Sequence, residues 1–187
     1  MDAAGQYALA YALTTSAGLR GLLTLAVVSV AVHFDWLHAP DAFLWLGSTT
    51  VTIVLVAVAA IDFVGDKIPV VDHGLHAINL IVKPAAAAIL VGGAVHPHSS
   101  GELITLMVLG ALNALGIAGA SAAIRGTSTA TTAGIANPFV SLFEDAVAGV
   151  TIVLGFIAPF VAAAVAVVLT VLVVRMGLGA WRAVRTT

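Results

Sequence analysis

Four charged side chains fall inside segments that are otherwise apolar. They are Arg20, Lys83, Glu144 and Asp145. A charge at the centre of a lipid bilayer costs at least about 2.5–3.5 kcal/mol, so such residues usually face the interior of a helix bundle. Two basic and two acidic groups predict a polar site for an ion or a small anionic solute. The alternative is a structural cluster in which the four charges only neutralise one another.

A hydroxyl-rich segment, residues 125–138, offers a second element of such a site. It ends in Asn137-Pro138, and proline suits the first turn of a helix. Because a helix N-terminus presents backbone N–H groups, we predict that Thr131, Thr132 and Asn137 form a cradle for an anion or carboxylate, with Arg125 or Arg20 nearby. An ordinary capped loop is the alternative interpretation.

A related stretch, residues 14–18, lies inside the first apolar segment and includes Ser16. Hydroxyls beside a glycine at membrane depth permit a kink or an unwound turn. Small transporters often bind their substrates at broken helices near the middle of the membrane. We therefore include Ser16 among the predicted binding residues, with helix–helix packing as the alternative role.

A third group of ionisable residues, Asp62, Asp66, Asp72 and His73, occupies a predicted connection between helices. Asp62 and Asp66 are four apart and would share a helix face, whereas Pro69 separates them from the other pair. Carboxylates with an imidazole can hold a divalent cation such as Mg²⁺ or Zn²⁺. No other cofactor is expected. The alternative is a solvated loop that ends the helices at the membrane interface.

The composition defines the class of protein that must position these residues. Of 187 residues, 61% are hydrophobic and only 9% are charged, whereas soluble domains carry about 25% charged residues. These values exclude a soluble globular protein and a disordered one. A net charge of −2 with seven Lys and Arg argues against a nucleic-acid partner. The absence of cysteine excludes disulfides and thiol catalysis.

The apolar segments predict an all-α polytopic membrane helix bundle with about six spans. The last apolar stretch, 138–174, is too long for one crossing of a core of about 30 Å, so we divide it near 155–159. The predicted spans are therefore 7–32, 43–61, 75–95, 103–124 and the two parts of that stretch.

Basic residues are confined to alternate connections, which places both termini in the cytoplasm under the positive-inside rule. The whole chain, 1–187, is predicted to be one integral membrane domain. Three spans in each half make 1–98 and 99–187 candidates for an inverted repeat with broken helices. Residues 15–19 (Thr-Ser-Ala-Gly-Leu) resemble 131–135 (Thr-Thr-Ala-Gly-Ile), although they do not fall on partner spans.

Several segments together resemble a known family. In chain order they are 16–20 (Ser-Ala-Gly-Leu-Arg), 66–73 (Asp-Lys-Ile-Pro-Val-Val-Asp-His), Lys83-Pro84, and 128–138 running into 141–145. This set is similar to the bacterial multipass membrane family catalogued as domain of unknown function 4126. The resemblance covers residues from about 8 to 180. It implies a compact inner-membrane protein and supplies no catalytic residues.

Three functions remain open from the sequence. The first is a small bacterial inner-membrane transporter or channel-like protein for an ion or small anionic solute, with the lipid bilayer as its surroundings and a homodimer as its expected assembly. The second is a non-catalytic membrane scaffold or assembly protein. The third is a metal-dependent lipid-phosphate enzyme. The chain has no recognisable nucleophile motif and no soluble domain, which weighs against an enzyme.

Overall fold

The computed structural model describes the backbone of residues 1–65 and 69–185, and the side chains of residues 1–65 and 78–182. This part of the chain is helical and contains no strand. Its elements are α1 (Ala3–His33), a 3-10 helix (Asp41–Gly47), α2 (Thr49–Gly65), α3 (Pro69–Ala94), α4 (Ser100–Thr132), α5 (Asn137–Ile157) and α6 (Pro159–Arg185).

The predicted all-helical membrane character is confirmed. By length and composition, α1, α4, α5 and α6 could each cross a membrane, and α2 makes a fifth candidate with the 3-10 helix, from which it is bent by 60°. In α3 the described side chains form an apolar helical segment, Ile78–Ala94. The predicted division of the last apolar stretch is also confirmed, since only Ala158 separates α5 from α6.

Helix α1 is folded back on itself at Arg20. This residue has φ −135° and ψ 76°, outside the helical region. The hydroxyl oxygens of Ser16 and Thr24 lie only 2.9 Å apart, whereas eight residues of unbroken helix would separate them by about 12 Å along the axis. Residues 3–19 and 21–33 therefore form two limbs of a helical hairpin.

The two limbs of α1 return to the same end of the bundle. Leu9 on the first limb packs against Gly155 near the end of α5. Val30 on the second limb lines a cavity of about 920 Å³ with Phe156 of the same helix end. The second limb, residues 21–33, contains thirteen helical residues and therefore spans about 20 Å, which is less than a bilayer core of about 30 Å. We conclude that α1 enters the bundle and leaves it on one side.

Protein surrounds this re-entrant hairpin. In its most apolar 18-residue window, 78% of the residues are buried. Non-helical backbone at membrane depth is tolerated where protein, rather than lipid, covers it. The other helices therefore provide the environment in which α1 can reverse.

The N-terminus lies at the same end of the bundle as the α3–α4 connection. Tyr7 hydrogen-bonds to Glu102, and the backbone N–H of His96 donates to Gln6 Oε1 at 2.9 Å. We call this end the N-terminal face. The end that holds the α4–α5 turn and the last turns of α6 is the C-terminal face.

This path places the two ends of the chain at opposite ends of the bundle, whereas the sequence predicted both termini on one side of the membrane. That prediction counted the first apolar segment as a complete crossing. Because α1 reverses at Arg20, the chain begins at the N-terminal face and α6 ends at the C-terminal face.

The hydroxyl-rich segment is also more helical than expected. We predicted a loop over most of 125–138, but α4 continues to Thr132 and the connection comprises only residues 133–136. The hydroxyls of Thr131 and Thr132 donate to the carbonyls of Thr127 and Ser128 at 2.9 and 2.7 Å. These bonds satisfy the side chains within the helix. Helix α5 begins at Asn137 with proline in its first turn, as predicted.

The repeated sequence motif marks two chain reversals. Residues 15–19 precede the reversal of α1 at Arg20, and residues 131–135 span the turn between α4 and α5. Both helical hairpins start from the N-terminal face. An inverted relation therefore does not describe this pair of motifs.

Small residues let α1 approach α4 closely. A Cβ on Gly18 would lie 2.7 Å from Ile117 Cβ and 2.9 Å from the Ala114 carbonyl oxygen. Gly110, Ala114 and Ala118 are buried in a row along α4. Such rows are typical of close helix packing in membranes.

The re-entrant path of α1 predicts a labelling pattern. Because the chain contains no cysteine, single cysteines can be introduced at the exposed positions Ala4, His38 and Ala130. In oriented vesicles, a membrane-impermeant maleimide should label Ala4→Cys and His38→Cys from one side and Ala130→Cys from the other. Labelling of Ala4→Cys and His38→Cys from opposite sides would show that α1 crosses the membrane.

The Gly18 contact predicts a stability loss. A Gly18→Val side chain would meet α4 backbone, and overpacking of this kind costs about 1–3 kcal/mol. Gly119→Val is the matched control, because a Cβ there has nothing within 4 Å. Thermal unfolding in detergent should show a lower Tm for Gly18→Val only. Equal melting of the two variants would contradict the close α1–α4 contact.

Candidate functional site

A buried ion pair lies at the reversal of α1. The Nε atom of Arg20 is 2.7 Å from Oδ1 of Asp145 on α5, and the two side chains are only 5% and 9% exposed. The guanidinium also donates to the Ser141 carbonyl oxygen at 3.1 Å and to the Ser141 hydroxyl. The charge predicted to be costly in the membrane is therefore held by one helix that supplies a carboxylate, a carbonyl and a hydroxyl.

The neighbouring carboxylate of Glu144 points to a different helix. It pairs with Arg125 and accepts a hydrogen bond from the Ser121 hydroxyl, both on α4. Both ionic side chains are buried, at 8% and 6% exposure. Residues Arg20, Asp145, Glu144 and Arg125, with their serine partners, form what we call the ionic cluster.

Lys83 lies beside this cluster on α3. Its own side chain is buried, and a Cβ on Gly21 would lie 3.0 Å from Lys83 Cα and 3.1 Å from its Cγ. The lysine stem therefore packs against the residue that follows Arg20. Of the four intramembrane charges singled out in the sequence, Arg20, Asp145 and Lys83 thus meet at the break in α1, and Glu144 joins them through the ionic cluster.

Ser16 takes part in the reversal itself. Its hydroxyl contacts that of Thr24 and donates to the Ala148 carbonyl oxygen at 3.3 Å. Thr24 donates to the Arg20 carbonyl oxygen at 2.7 Å. Side-chain hydroxyls thus supply partners around a residue whose backbone is not helical, as buried chain breaks require.

Polar side chains continue along the first limb of α1 toward the N-terminal face. Asn113 Nδ2 donates to the hydroxyls of Thr14 and Thr15 at 3.0 and 3.1 Å. The hydroxyl of Thr170 on α6 lies 3.5 Å from that of Thr15 and accepts from Tyr11 at 3.4 Å. We call this set the polar column; it is Tyr7, Tyr11, Thr14, Thr15 and Ser16 with Asn113 and Thr170.

A cavity lies beside the outer part of the polar column. It has a volume of about 380 Å³, lies between α1, α3 and α4, and includes Tyr7, Tyr11, Thr14 and Asn113 in its lining. The outer end of the polar column therefore borders this largely apolar space near the N-terminal face.

Thr131, Thr132 and Asn137 lie at the α4–α5 turn, and Asn137 precedes Ser141 of the ionic cluster by four residues. The Thr132 hydroxyl accepts from the Ala136 backbone N–H at 3.2 Å, and Asn137 Nδ2 donates to the Thr129 hydroxyl at 2.9 Å. These bonds close the α4–α5 turn at the C-terminal face. The anion cradle expected at these three residues stays a prediction.

The predicted divalent-cation site can be described only at Asp62. This residue is 7% exposed, and Asn79 Nδ2 donates to its Oδ1 at 3.2 Å. Asp66 and the side chains of Asp72 and His73 lie outside the described residues. Among the side chains that are described, no group of three or more His, Asp or Glu could hold a metal ion.

The hydroxyl side chains that hydrogen-bond to the charged residues were not predicted from the sequence. Ser141 precedes Asp145 by four residues, Ser121 precedes Arg125 by four, and Thr24 follows Arg20 by four. A spacing of four places two side chains on one helix face. A search for hydroxyls one helical turn from each intramembrane charge would have found them.

The Arg20–Asp145 pair predicts a non-additive effect on stability. Removing one partner of a buried ion pair costs about 3–5 kcal/mol, because the remaining charge stays buried, whereas replacing both by apolar residues is often tolerated. Arg20→Met and Asp145→Leu should therefore each destabilise the protein strongly, and the double variant should be more stable than either. Unfolding in mixed micelles measures all three free energies, and additive effects would contradict a direct pairing.

Comparison with known proteins gives a family match but no curated or solved relative. No curated protein and no solved structure matches the chain. The family model described as domain of unknown function (DUF4126) matches residues 7–178. This range includes the re-entrant helix, the polar column and the ionic cluster. Because the match spans nearly the whole chain, the protein belongs to the DUF4126 family.

Proposed function

We propose that this protein is a small membrane transporter or channel for a small anionic solute. The observation that carries this proposal is the ionic cluster at the break of a re-entrant helix inside the bundle. Polar groups at interrupted helices are typical of substrate and ion sites in membrane proteins. Arg20 supplies the positive charge of the site, with Lys83 packed on the residue beside it.

The polar column adds hydrogen-bonding groups to an approach toward the positive charge of Arg20. Its hydroxyls can donate as well as accept, and the amide of Asn113 donates to two of them. Pore selectivity depends on the donors, acceptors and charges that line a route. The column gives an approach from the N-terminal face, and Arg125 lies on the continuation toward the C-terminal face.

We further propose that the C-terminal face is cytoplasmic, in a bacterial inner membrane. The connections 34–48 and 95–99 at the N-terminal face contain no Lys or Arg, whereas Arg175 and Arg182 lie toward the end of α6. Basic residues are enriched on the cytoplasmic side. The N-terminus is then outside and the C-terminus inside.

A second candidate function is a non-catalytic membrane scaffold. It is favoured by the pairing of both arginines with carboxylates of α5. Such pairs can hold helices together without any ligand. The two functions differ in whether solute moves through the purified protein.

Transport is tested by anion flux in proteoliposomes. The protein should release chloride, nitrate, formate or inorganic phosphate faster than empty liposomes, and Arg20→Gln should lower that flux about tenfold or more, as expected for the loss of a charged hydrogen-bond donor. Arg175→Gln is the matched control, since that side chain is exposed on α6.

A second pair of variants covers the case in which Arg20→Gln does not fold. Thr15→Val removes a hydroxyl of the polar column and should also lower flux, whereas Thr105→Val, at an exposed position of α4, should not. Size-exclusion profiles and melting temperatures verify folding. Flux indistinguishable from that of empty liposomes for all four anions would favour the scaffold.

A further inference from the structure

We propose that the anion moves together with a proton, and that Asp145 is the residue that carries the proton. This inference rests on the proposed anion transport and adds the coupled ion. It follows from the position of Asp145, which occupies the Nε edge of Arg20 at 2.7 Å. An anion that binds Arg20 there must displace this carboxylate.

Because the Arg20–Asp145 pair is buried, an anion can displace the Asp145 carboxylate only when Asp145 takes up a proton. Arg20 and Asp145 are 5% and 9% exposed, so solvent screens neither charge well. Ionised Asp145 repels an incoming anion, while a vacated Arg20 would be left as an uncompensated buried cation. Protonation of Asp145 together with anion binding avoids both states.

The exchange balances in charge and in atoms. An O–H bond forms on the Asp145 carboxylate, its ion pair with Arg20 breaks, and the anion takes the vacated position. One proton and one anion enter, so the net charge of the site is the same before and after. When the anion leaves, the proton returns to water and the ion pair forms again.

Among the described side chains, the charged neighbours of Asp145 on other helices are Arg20 of α1, Lys83 of α3 and Arg125 of α4. Lys83 of α3 packs beside Arg20, and Arg125 of α4 pairs with the adjacent Glu144. From α6, Leu169 and Val173 line an apolar cavity of about 330 Å³ next to Glu144.

Glu144 fits the role of carrier less well. Its carboxylate holds both the Arg125 guanidinium and the Ser121 hydroxyl on α4, and neither partner belongs to the break in α1. Asp145 instead faces the residue where the helix reverses. Displacing Asp145 therefore opens the ionic cluster at the end of the polar column.

The experiment measures anion and proton movement together in proteoliposomes. Chloride, nitrate, formate and inorganic phosphate are tested separately, with an enclosed pH-sensitive dye. For the anion that the protein transports, an inward proton gradient should drive accumulation with one proton per anion. The apparent affinity of the protein for this anion should fall about tenfold for each unit of pH increase once Asp145 is ionised in the empty protein.

Variants of Asp145 test its role as the carrier. Asp145→Asn should transport the anion without protons and without pH dependence, because the amide imitates the neutral acid. Asp145→Glu should restore coupling, and Asp41→Asn, at an exposed position of the N-terminal face, should leave it intact. An infrared band of a protonated carboxylic acid should appear when the anion is added to detergent-solubilised protein and be absent in Asp145→Asn.

The outcomes separate this inference from the proposed function. Anion flux without proton movement, or coupling that survives in Asp145→Asn and is lost in Glu144→Gln, overturns the proton role of Asp145 and leaves anion transport standing. Absence of flux for all four anions overturns both proposals. If Asp145→Asn does not fold, the infrared band of the native protein and the coupling of Asp145→Glu decide the question.

Discussion

The ion pair between Arg20 and Asp145 is the interaction on which the rest of the structure depends. A guanidinium at membrane depth needs a counter-charge, and a helix that breaks there needs partners for its freed backbone groups. Both requirements are met at the same point, since α5 supplies Asp145 and Ser141 while Thr24 satisfies the Arg20 carbonyl. The reversal of α1 and the burial of Arg20 therefore depend on the same partner residues.

The reversal also decides how the other helices are arranged. Because both limbs of α1 lie inside the bundle, the surrounding helices must pack against a helical hairpin rather than against one straight helix. Gly18 and Gly21 make this possible by admitting α4 and the Lys83 stem at distances that a Cβ would not allow. The same reversal sends the two ends of the chain to opposite faces of the bundle.

The structural and functional roles of the ionic cluster are not exclusive. A closed Arg20–Asp145 pair stabilises the bundle, and an anion would use the same guanidinium by replacing that carboxylate. The polar column gives this cluster a connection to one face, which a purely structural ion pair would not require. If the proposed anion transport holds, the protein should be most stable in its empty, closed state, and the proposed coupled proton would lower the cost of opening it.

The amino-acid sequence was enough to predict the membrane class, the all-helical architecture, a division near residues 155–159 and the inward placement of four charged residues. Hydrophobic length and the cost of a buried charge are local properties of the chain. The sequence did not determine the fold-back of α1. An apolar segment has the same composition whether it crosses the membrane or reverses within it, and the choice depends on partners such as Asp145 from a distant helix. The helical course of residues 125–132 was also hidden, since threonine hydroxyls suit a loop and a helix equally until a preceding carbonyl accepts their hydrogen bond. Only the tertiary structure decided which oxygen each polar side chain would find.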